Sequence, residues 1–581
     1  MSKTALILLC FMIQSAIAQN VERLVQDAKG LLKQDPISLQ GGINASAVFY
    51  NVKGIDPRRD PFYWSINSNL NITLLGKISC PLTFTITQQD KKFTHGLDKF
   101  SQPFNQFGLS PNYKWLTVHM GYRSMNFSDY TMNGTLFLGG GIEIKPEKGI
   151  VSASVGFGRL MKAVPKGGVE GVMVSYPAYE RWGGAAKLRI GKEKHHIELI
   201  YFNGFDNKNS IAFDTANRIS PSENQIFGVQ FGNTFFEKLK IQGSYHLSIL
   251  NPNTFLPEQK FEKFTYLNKI FTPRANTQIN SAYNFQIDYE LKGYTIGAKF
   301  KRIDPDYASL GSPFIANDIQ EYALSLGKNF KNNLLVLNGS IGLQENNLDK
   351  KQIATQRKIA GSLMVGINVV KNLNINLSYS NFSSNVVALY DIYYDSIRFA
   401  QLNETGNIML NYSLGKDIRH TFSVQSTLQK SSGNKQETNT LVLINPGYNI
   451  QLQPQNIGFV LGLNISQNET AGIMLFNMGP TFGINSSLLN KKIKLNSSFS
   501  FQQAKQNKVL TNQNFSIVAG INYSITKSQS FRINYAFIQR KAVTSGAQDF
   551  IENRMTLTYS YNFNTGYKQI KTYINNRKND K

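Results

Sequence analysis

The sequence predicts an all-β protein: a transmembrane antiparallel β-barrel of about 26 strands, with short periplasmic turns and longer extracellular loops. Three observations favour this fold class: apolar and polar residues alternate over long segments, short turns alternate with long loops, and few residues are charged. The 581 residues include 62 Lys plus Arg and 37 Asp plus Glu, so the formal charge is +25, yet only 17% of the residues are charged. Soluble proteins usually carry about 25%. Because 12% of the residues are aromatic and 45 are Gly, the composition favours an extended sheet over a disordered chain or a helical bundle.

Period-two alternation is clearest in residues 64–87. Apolar Ile66, Leu70 and Ile72 alternate with polar residues, and the pattern resumes in residues 78–87 after a short turn. Alternation across a short turn predicts a β-hairpin. The strands of a soluble β-sandwich also alternate, but they average about 5 to 6 residues, and a tilted membrane strand needs about 9 to 11. Most segments here sustain 9 to 13 residues, including those within residues 239–249, 283–291, 359–379 and 515–537.

The connections between these segments alternate in length, as they do in outer-membrane barrels. Short periplasmic turns are predicted near Gly76-Lys77, Gly191-Lys192, Glu237-Lys238, Lys292-Gly293, Val370-Lys371, Gly415-Lys416 and Lys527. Longer polar loops are predicted near residues 203–222, 250–279, 303–317, 381–403 and 541–551.

The predicted barrel spans residues 38–563, where twenty-five strands can be recognised. A single-chain bacterial barrel usually has an even number of strands with both termini in the periplasm. Counted from the N-terminus, the turn at Gly76-Lys77 is periplasmic, and counted back from the last strand, the turn at residues 145–149 is periplasmic too. Two periplasmic turns must be separated by an even number of strands, but only three are recognised here, so one strand is missing. We place it at residues 97–109, followed by a turn at Ser110-Pro111-Asn112 and a strand from Lys114 to Arg123.

The first residues have the layout of a secretory signal peptide. A positive start at Lys3 precedes an apolar stretch over residues 5–13, and Ala16-Ile17-Ala18 forms a small-residue cleavage site. The alternative, a membrane anchor, needs about 20 apolar residues, more than are present. We therefore expect residues 1–18 to be removed. Cleavage removes Cys10 and leaves Cys80 as the single cysteine, so no internal disulfide is expected.

Two further segments flank the predicted barrel. Residues 19–37 form a short periplasmic segment, in which residues 20–33 show the apolar spacing of an amphipathic helix that either caps the barrel or docks a partner. The last predicted strand, from Met555 to Phe563, resembles the closing strand that outer-membrane barrels present to the barrel-insertion machinery. Residues 564–581 form a basic periplasmic tail, either solvated or in contact with an acidic partner.

Four sequence blocks resemble a family of large, porin-like outer-membrane β-barrels from Bacteroidota. They are residues 104–115, 119–134, 179–183 and 221–225, and the resemblance covers roughly residues 40–235. It implies a location in the outer membrane of a Gram-negative bacterium. Because Bacteroidota also use very large barrels in the type 9 secretion apparatus, including a protein that plugs the translocon, the resemblance also raises a role as a translocon-associated plug protein.

Basic residues at strand positions that face the lumen are the candidate functional residues. These lumen-lining candidates are His119, Arg123, Lys187, Arg189, Lys299, Lys301 and Arg419. They would favour anions, but Glu143, Glu198, Asp288, Glu290 and Glu321 are also predicted to face inward. His119 and Arg123 could instead pair with nearby carboxylates and brace the wall.

Enzyme signatures in the sequence are weak, so neither catalysis nor a cofactor is expected; the alternative is an outer-membrane hydrolase whose catalytic residues come from separate strands. The one close histidine pair, His195-His196, lies at a turn, and neither a Gly-x-Ser-x-Gly elbow nor a phosphate-binding loop is present.

Export also excludes nucleic acid as the partner of the basic charge. The predicted partners are outer-membrane lipid and lipopolysaccharide, with a secretion translocon as an alternative. The sequence therefore predicts a porin-like channel or transport-related pore; the alternative is a structural or plug-like component of a secretion translocon.

Overall fold

The computed structural model describes residues 36–88, 105–164, 177–212, 219–262, 265–330, 333–389, 399–434, 437–544 and 548–566. These residues form one closed antiparallel sheet. The first strand, β1 (Ile37–Lys53), pairs with β2 (Phe62–Leu74) on one side and with the last strand, β27 (Phe550–Gly566), on the other. Pairing of the first strand with the last removes both sheet edges, and this closure defines a barrel.

The remaining strands follow one another around the wall in chain order. The first group contains β3 (Ile78–Thr87), β4 (Gln106–Leu109), β5 (Asn112–Tyr113), β6 (Leu116–Asn126), β7 (Asn133–Ile144), β8 (Val151–Met161), β9 (Arg181–Lys192), β10 (His195–Asp206), β11 (Glu223–Phe235), β12 (Leu239–Asn251), β13 (Gln278–Leu291), β14 (Tyr294–Ile303), β15 (Ile319–Phe330) and β16 (Leu335–Glu345). The second group contains β17 (Ala354–Val370), β18 (Leu373–Ala388), β19 (Phe399–Leu414), β20 (Ile418–Gly433), β21 (Asn439–Leu452), β22 (Ile457–Thr470), β23 (Ile473–Leu488), β24 (Ile493–Gln506), β25 (Val509–Ser524) and β26 (Gln529–Ala542). A short 3₁₀ helix (Thr265–Lys269) lies in the connection after β12.

Two of the strand segments share one position in the wall. Both β4 and β5 pair with β3 on one side and with β6 on the other, so the barrel has 26 strand positions. The predicted closed barrel of about 26 strands is therefore confirmed, and an additional strand position does lie between β3 and β6.

The turn predicted at Ser110-Pro111-Asn112 is wrong. The chain stays in the sheet there, because the Ser110 amide donates to the Pro81 carbonyl at 2.9 Å. Pro111 has no N–H to donate, so it interrupts the strand without reversing it. The reversal comes at residues 114–115, where Lys114 has a φ of 52°, and β6 begins at Leu116 rather than at Lys114.

The two ends of the barrel differ in their connections. One end carries both barrel termini and the short turns, here called the short-turn rim: residues 75–77, 114–115, 145–150, 193–194, 236–238, 292–293, 371–372, 415–417, 453–456, 489–492 and 525–528. The opposite end carries the long connections, including residues 252–277 and 304–318. It also has two-residue turns at 471–472 and 507–508, whose residues all have positive φ as tight hairpins require.

Some predicted boundaries fall at or beyond the limits of the described residues. Strand β27 continues to Gly566, past the predicted end of the barrel at Phe563. The predicted signal peptide, the predicted helix at residues 20–33 and the tail after Gly566 lie outside the described residues.

Cys80 is a buried free cysteine. Within the described part of the chain, no helix has the length and apolar character needed to cross a membrane.

The two faces of each strand are chemically distinct. In β10, Ile197 and Leu199 are 43% and 46% exposed, whereas Glu198, Ile200 and Phe202 between and beyond them are buried. Exposed apolar residues recur in this way around the wall. The outer face is therefore apolar, as lipid contact requires, and the buried face points inward.

Candidate functional site

Among the described residues, the fully buried large side chains are concentrated in one part of the wall. These side chains, among them Phe127, Phe137, Phe202 and Tyr307, all lie between residues 127 and 307. Most of them come from the inner faces of β6 to β14 and from two connections at the long-loop end, residues 127–132 and 304–318. We call these two connections the inner plug.

The first plug segment, residues 127–132, packs against the inner wall. Phe127 and Met132 are buried with Phe137, Phe202 and Ile226 in one apolar cluster. The ammonium group of Lys187 donates to the carbonyls of Asn126 and Phe127 at 3.2 and 3.3 Å. Apolar burial and a charge-assisted hydrogen bond therefore hold this segment inside the barrel.

The second plug segment, residues 304–318, binds the first. The Tyr307 hydroxyl donates to the Tyr130 carbonyl at 2.8 Å, and the Ser309 hydroxyl donates to the Thr131 carbonyl at 2.5 Å. Burial raises the pKa of Tyr130 to about 12 and also raises that of Tyr307. Both phenols therefore keep their protons at neutral pH, and Tyr307 remains a hydrogen-bond donor.

The same segment is also bonded to the wall. The Ser248 hydroxyl donates to the Ala308 carbonyl at 2.8 Å, and the Thr135 hydroxyl donates to the Gly311 carbonyl at 2.5 Å. The two ends of the segment meet, because the Asp318 amide donates to the Asp304 carbonyl at 3.3 Å. Residues 304–318 therefore form a closed loop with two adjacent ends, folded into the lumen.

A buried histidine lies beneath the plug. His246 of β12 has no exposed surface, and its ring centroid is 5.1 Å from that of Tyr130. Neither ring nitrogen has a hydrogen-bond partner among the described residues. Gly228 on the neighbouring strand leaves space for the ring, since a Cβ there would collide with it. His246 thus acts as an apolar packing surface for the plug.

His119 and Arg123 lie on the inner face of β6, where they contact the interrupted strand. The guanidinium of Arg123 donates to the Thr83 hydroxyl at 3.0 Å and to the Pro81 carbonyl at 3.1 Å. His119 Nδ1 is 2.9 Å from the hydroxyl of Ser110. Both side chains bond to wall groups beside the break in the strand. Their partners are hydroxyl and carbonyl groups rather than the carboxylates that the sequence suggested.

Three further predicted lumen residues form ion pairs on the inner face. Lys187 and Arg189 lie 3.9 and 3.3 Å from the carboxylate of Glu198, and Lys299 lies 3.2 Å from that of Glu321. Lys301 and Arg419 share the same inward orientation, but neither has a hydrogen bond or ion pair with another described residue. The basic groups are therefore dispersed over the inner wall, and most of them are engaged by the protein itself.

The predicted acidic residues behave similarly. Glu143 is paired with Lys145 at 2.6 Å, and Asp288 accepts a hydrogen bond from the Gln286 amide at 2.7 Å. Glu290 lies on the inner face of β13, opposite Thr295. Among the predicted lumen charges of β13 to β15, the one ion pair between described residues joins Lys299 and Glu321, while Lys301, Asp288 and Glu290 form none.

The inner face from β16 through β27 and on to β1 has a different chemistry. It carries cross-strand pairs of neutral polar side chains, and among its described side chains only Tyr50 and Ser384 are buried. The pairs are Ser340 with Ser362, Asn407 with Ser378, Thr427 with Asn407, Asn464 with Thr481, Ser500 with Ser516 and Ser46 with Thr558, at 2.7 to 3.2 Å. We call this surface the open face.

A polar cavity lies where the plug meets the open face. It has a volume of about 350 Å³ and is lined mainly by amide side chains, including those of Asn317, Gln344, Gln352 and Gln356, together with Lys358 and Asp318. The carboxylate of Asp318 already accepts hydrogen bonds from the Asn347 and Leu348 amides and from the Gln352 side chain. The amides of Asn317 and Gln356 donate to the Tyr307 carbonyl and the Ser384 hydroxyl. The Gln344 amide and the Lys358 ammonium group face this space without a side-chain bond to another described residue.

Sequence reasoning missed the inner plug. Residues 127–132 fall within the block 119–134 that carried the family resemblance, and their aromatic residues were the available signal. Residues 304–318 were predicted only as a long polar loop. Among the described residues, no group of His, Cys, Asp and Glu is arranged to hold a metal ion.

Neither a protein-family model nor a curated protein matches this chain. Among solved structures, the P pilus usher PapC translocation pore is 8% identical, with 90% of this chain and 99% of that one covered and a TM-score of 0.36. The ferric yersiniabactin uptake receptor FyuA from Yersinia pestis is 6% identical, with coverages of 91% and 81% and a TM-score of 0.39. OpdO from Pseudomonas aeruginosa is 8% identical, with coverages of 90% and 97% and a TM-score of 0.30.

The TM-scores of these three likenesses are all below 0.5. The strand pairing of the chain itself shows that the protein is a large closed antiparallel β-barrel.

Proposed function

We propose that this protein resides in the outer membrane of a Gram-negative bacterium, after cleavage of its signal peptide, and acts as a porin-like channel for small polar solutes. The observation that carries the proposal is the open face. Neutral hydroxyl and amide groups line the inner wall from β16 to β1, while the inner plug packs against the wall from β6 to β14.

The size of the barrel supports an aqueous passage. Barrel diameter grows with strand number, and barrels of about 16 to 18 strands already enclose water-filled channels. This wall has 26 strand positions, and the plug is built from two short segments that contact only part of it. This arrangement of the described residues supports a water-filled passage along the open face.

The lining supports a modest preference for anions. Neutral groups form the cross-strand pairs of the open face, but its inward-facing positions also carry basic residues without an ion pair to another described residue: Arg419, Lys494, Arg532, Arg540 and Arg554. On the plugged side and beside it, the ion pairs of Lys187, Arg189 and Lys299 reduce the field that these cations would otherwise exert on a permeating ion. The amide-lined cavity beside Gln344 and Gln356 offers hydrogen-bond donors and acceptors to a hydroxyl-rich solute. Neutral and anionic hydrophilic solutes are accordingly the favoured cargo.

Planar-bilayer recording of the purified full-length protein tests the channel. We expect stepwise, ohmic currents with a modest preference for anions, together with swelling of proteoliposomes in isotonic solutions of small neutral sugars. A mock purification from cells that lack the protein is the control for contaminating porins. Absence of current steps and of swelling, from protein that is folded and inserted, would refute the channel.

A second candidate is a structural, plug-like component of a protein secretion translocon. The inner plug favours it, because residues 127–132 and 304–318 are fixed inside the barrel by buried contacts rather than left outside as loops. A pull-down from native membranes tests this candidate. Absence of channel currents in planar bilayers, together with stoichiometric recovery of one large partner, would support this candidate. An open channel that is recovered without a partner would exclude it.

A further inference from the structure

Lysine is concentrated at the short-turn rim. Ten of the eleven turns defined above contain Lys, and together they contain twelve Lys but only four acidic residues. The lysines are Lys77, Lys114, Lys145, Lys148, Lys194, Lys238, Lys292, Lys371, Lys416, Lys491, Lys492 and Lys527, and the acidic residues are Glu147, Glu193, Glu237 and Asp417. A strongly positive surface is therefore present at one end of the barrel.

The long-loop end has no such excess. Its described connections contain ten basic and twelve acidic residues. Lys351, for example, is paired with Asp349 at 3.0 Å, and Arg274 is paired with Glu258 at 3.1 Å. Both ends belong to the same basic protein, so overall composition does not explain why the lysine excess is confined to one end. We attribute this charge asymmetry to the different surroundings of the two ends.

Most of the rim lysines are available for an external anion. Lys145 and Lys194 are engaged by Glu143 and Glu237. Among those exposed at the rim and without an ion pair to any described residue are Lys148, Lys238, Lys292, Lys371, Lys416, Lys491, Lys492 and Lys527. They occur in turns from β7–β8 through β25–β26, so they are distributed around the circumference rather than clustered at one point.

Exposed apolar residues accompany the lysines at the same level. Phe236 and Leu489, both within rim turns, are 89% and 67% exposed. The ammonium group of Lys328 lies 3.4 Å from the ring centroid of Tyr294, next to the turn at residues 292–293. Aromatic and apolar side chains beside lysines are typical of the boundary between lipid chains and headgroups.

We infer that the short-turn rim binds the phosphate groups of acidic phospholipids in the membrane leaflet that surrounds it. A lipid annulus surrounds a barrel on all sides, as these lysines do, and it also accommodates side chains such as Phe236. An acidic soluble protein would match neither the circular distribution nor the exposed apolar residues. Each Lys near an anionic lipid surface adds to the attraction, so many dispersed lysines produce a cumulative preference.

Lipid selectivity can be measured with spin-labelled phospholipids and the purified, folded barrel in vesicles containing equal parts of phosphatidylcholine and phosphatidylglycerol. The rim variant carries Lys148→Gln, Lys238→Gln, Lys371→Gln, Lys416→Gln and Lys527→Gln. The matched variant removes the same charge from the other end by Arg59→Gln, Lys260→Gln, Lys269→Gln, Lys350→Gln and Lys508→Gln. Heat-modifiable gel mobility checks that each variant is folded.

We expect severalfold enrichment of phosphatidylglycerol over phosphatidylcholine around the wild type and the matched variant, and a clearly smaller enrichment around the rim variant, which keeps three of the eight unpaired rim lysines. Added salt should reduce the enrichment around the wild type. This measurement does not depend on the folding of any variant. Equal enrichment around the rim variant and the wild type would overturn the inference. So would a wild type without lipid preference that binds polyglutamate, since that result would identify an acidic polypeptide as the partner. Lipid enrichment does not require an open pore, so current recordings on the same preparation test the channel separately.

Discussion

The wall from β6 to β14 and the wall from β17 to β27 present similar outer faces and different inner faces. Outside, both alternate apolar residues with a period of two, as Leu199 and Leu428 illustrate with exposures of 46% and 52%. Inside, the first wall buries Phe137, Phe202 and His246 beneath the plug, and the second carries hydrogen-bonded Ser, Thr and Asn. The membrane thus imposes one pattern on the whole outer face, while the inner face is free to serve two purposes.

The two walls of the barrel also gain their rigidity from different interactions. Beneath the plug, rigidity comes from apolar burial, which contributes about 1.5–3 kcal/mol for each large side chain. Along the open face it comes from the backbone ladders and from neutral polar pairs, each worth about 0.2–1 kcal/mol. Substitutions should therefore affect stability mainly in the first wall and permeation mainly in the second.

The largest expected effect follows from removing the second plug segment. Because the Asp318 amide and the Asp304 carbonyl are 3.3 Å apart, residues 305–317 can be replaced by a four-residue Gly-Ser linker without straining the barrel. We expect single-channel conductance to rise severalfold, since the plug no longer occupies its part of the lumen. The control replaces residues 55–60, in the exposed connection between β1 and β2, with the same linker. Equal conductance in the two deletions would show that the plug does not restrict the pore.

Truncation of a large inward-facing side chain should cost more stability beneath the plug, where it is buried, than on the open face, where it is exposed. Phe202 has no exposed surface, so Phe202→Ala should lower the free energy of unfolding by about 3–5 kcal/mol. Met409 on the inner face of β19 is 44% exposed, so Met409→Ala should cost less than about 1 kcal/mol. Denaturation in detergent, monitored by intrinsic fluorescence and gel mobility, provides both values. Similar losses at the two positions would argue against a plugged half.

A smaller effect is expected from loss of a single hydroxyl. Tyr307→Phe removes the donor to the Tyr130 carbonyl and should cost about 1 kcal/mol, because that acceptor remains buried. Tyr379→Phe on β18 removes an exposed hydrogen bond to Glu404, and its cost should fall within about 0.5 kcal/mol. The same denaturation assay compares them, and a larger loss at Tyr379 would contradict the assignment of rigidity to the plug.

The smallest effect concerns ion selectivity. Arg419 faces the lumen of the open wall without an ion pair to a described residue, so Arg419→Glu should shift the reversal potential in a salt gradient towards cation preference. Lys416→Glu, in the neighbouring rim turn, makes the same charge change outside the lumen and should shift it less. A shift at Lys416 equal to or greater than that at Arg419 would place the conducting path elsewhere.

The wall could be predicted from sequence because each strand carries its own evidence. The alternation in residues 239–249 or 515–537 is local, and lipid contact on one face makes it visible without knowledge of the neighbouring strands. The break at Pro111 was mistaken for a turn, because proline and its neighbours look alike in both situations. The bond from Ser110 to Pro81 that keeps the chain in the sheet is not local.

The plug could not be predicted for a related reason. Tyr307 and Tyr130 are 177 residues apart in the chain, and neither segment has a periodic pattern that indicates where it packs. The inward orientation of Lys187 followed from alternation, but its bonds to the Asn126 and Phe127 carbonyls depend on a segment 60 residues away. Alternation can therefore assign a side chain to the lumen without revealing whether solute or protein occupies the space in front of it.

Chemical accessibility along the lumen tests most directly the claim that solutes pass by the open face. In a Cys80→Ala background, Gln425→Cys places a thiol on the open face, and Ala185→Cys places one beneath the plug, where the native side chain is 4% exposed. A charged methanethiosulfonate reagent should react rapidly with the first thiol and lower the current, and leave the second thiol and its current unchanged. Equal reaction rates, or current block through position 185 alone, would contradict the division of the lumen into a plugged side and an open side.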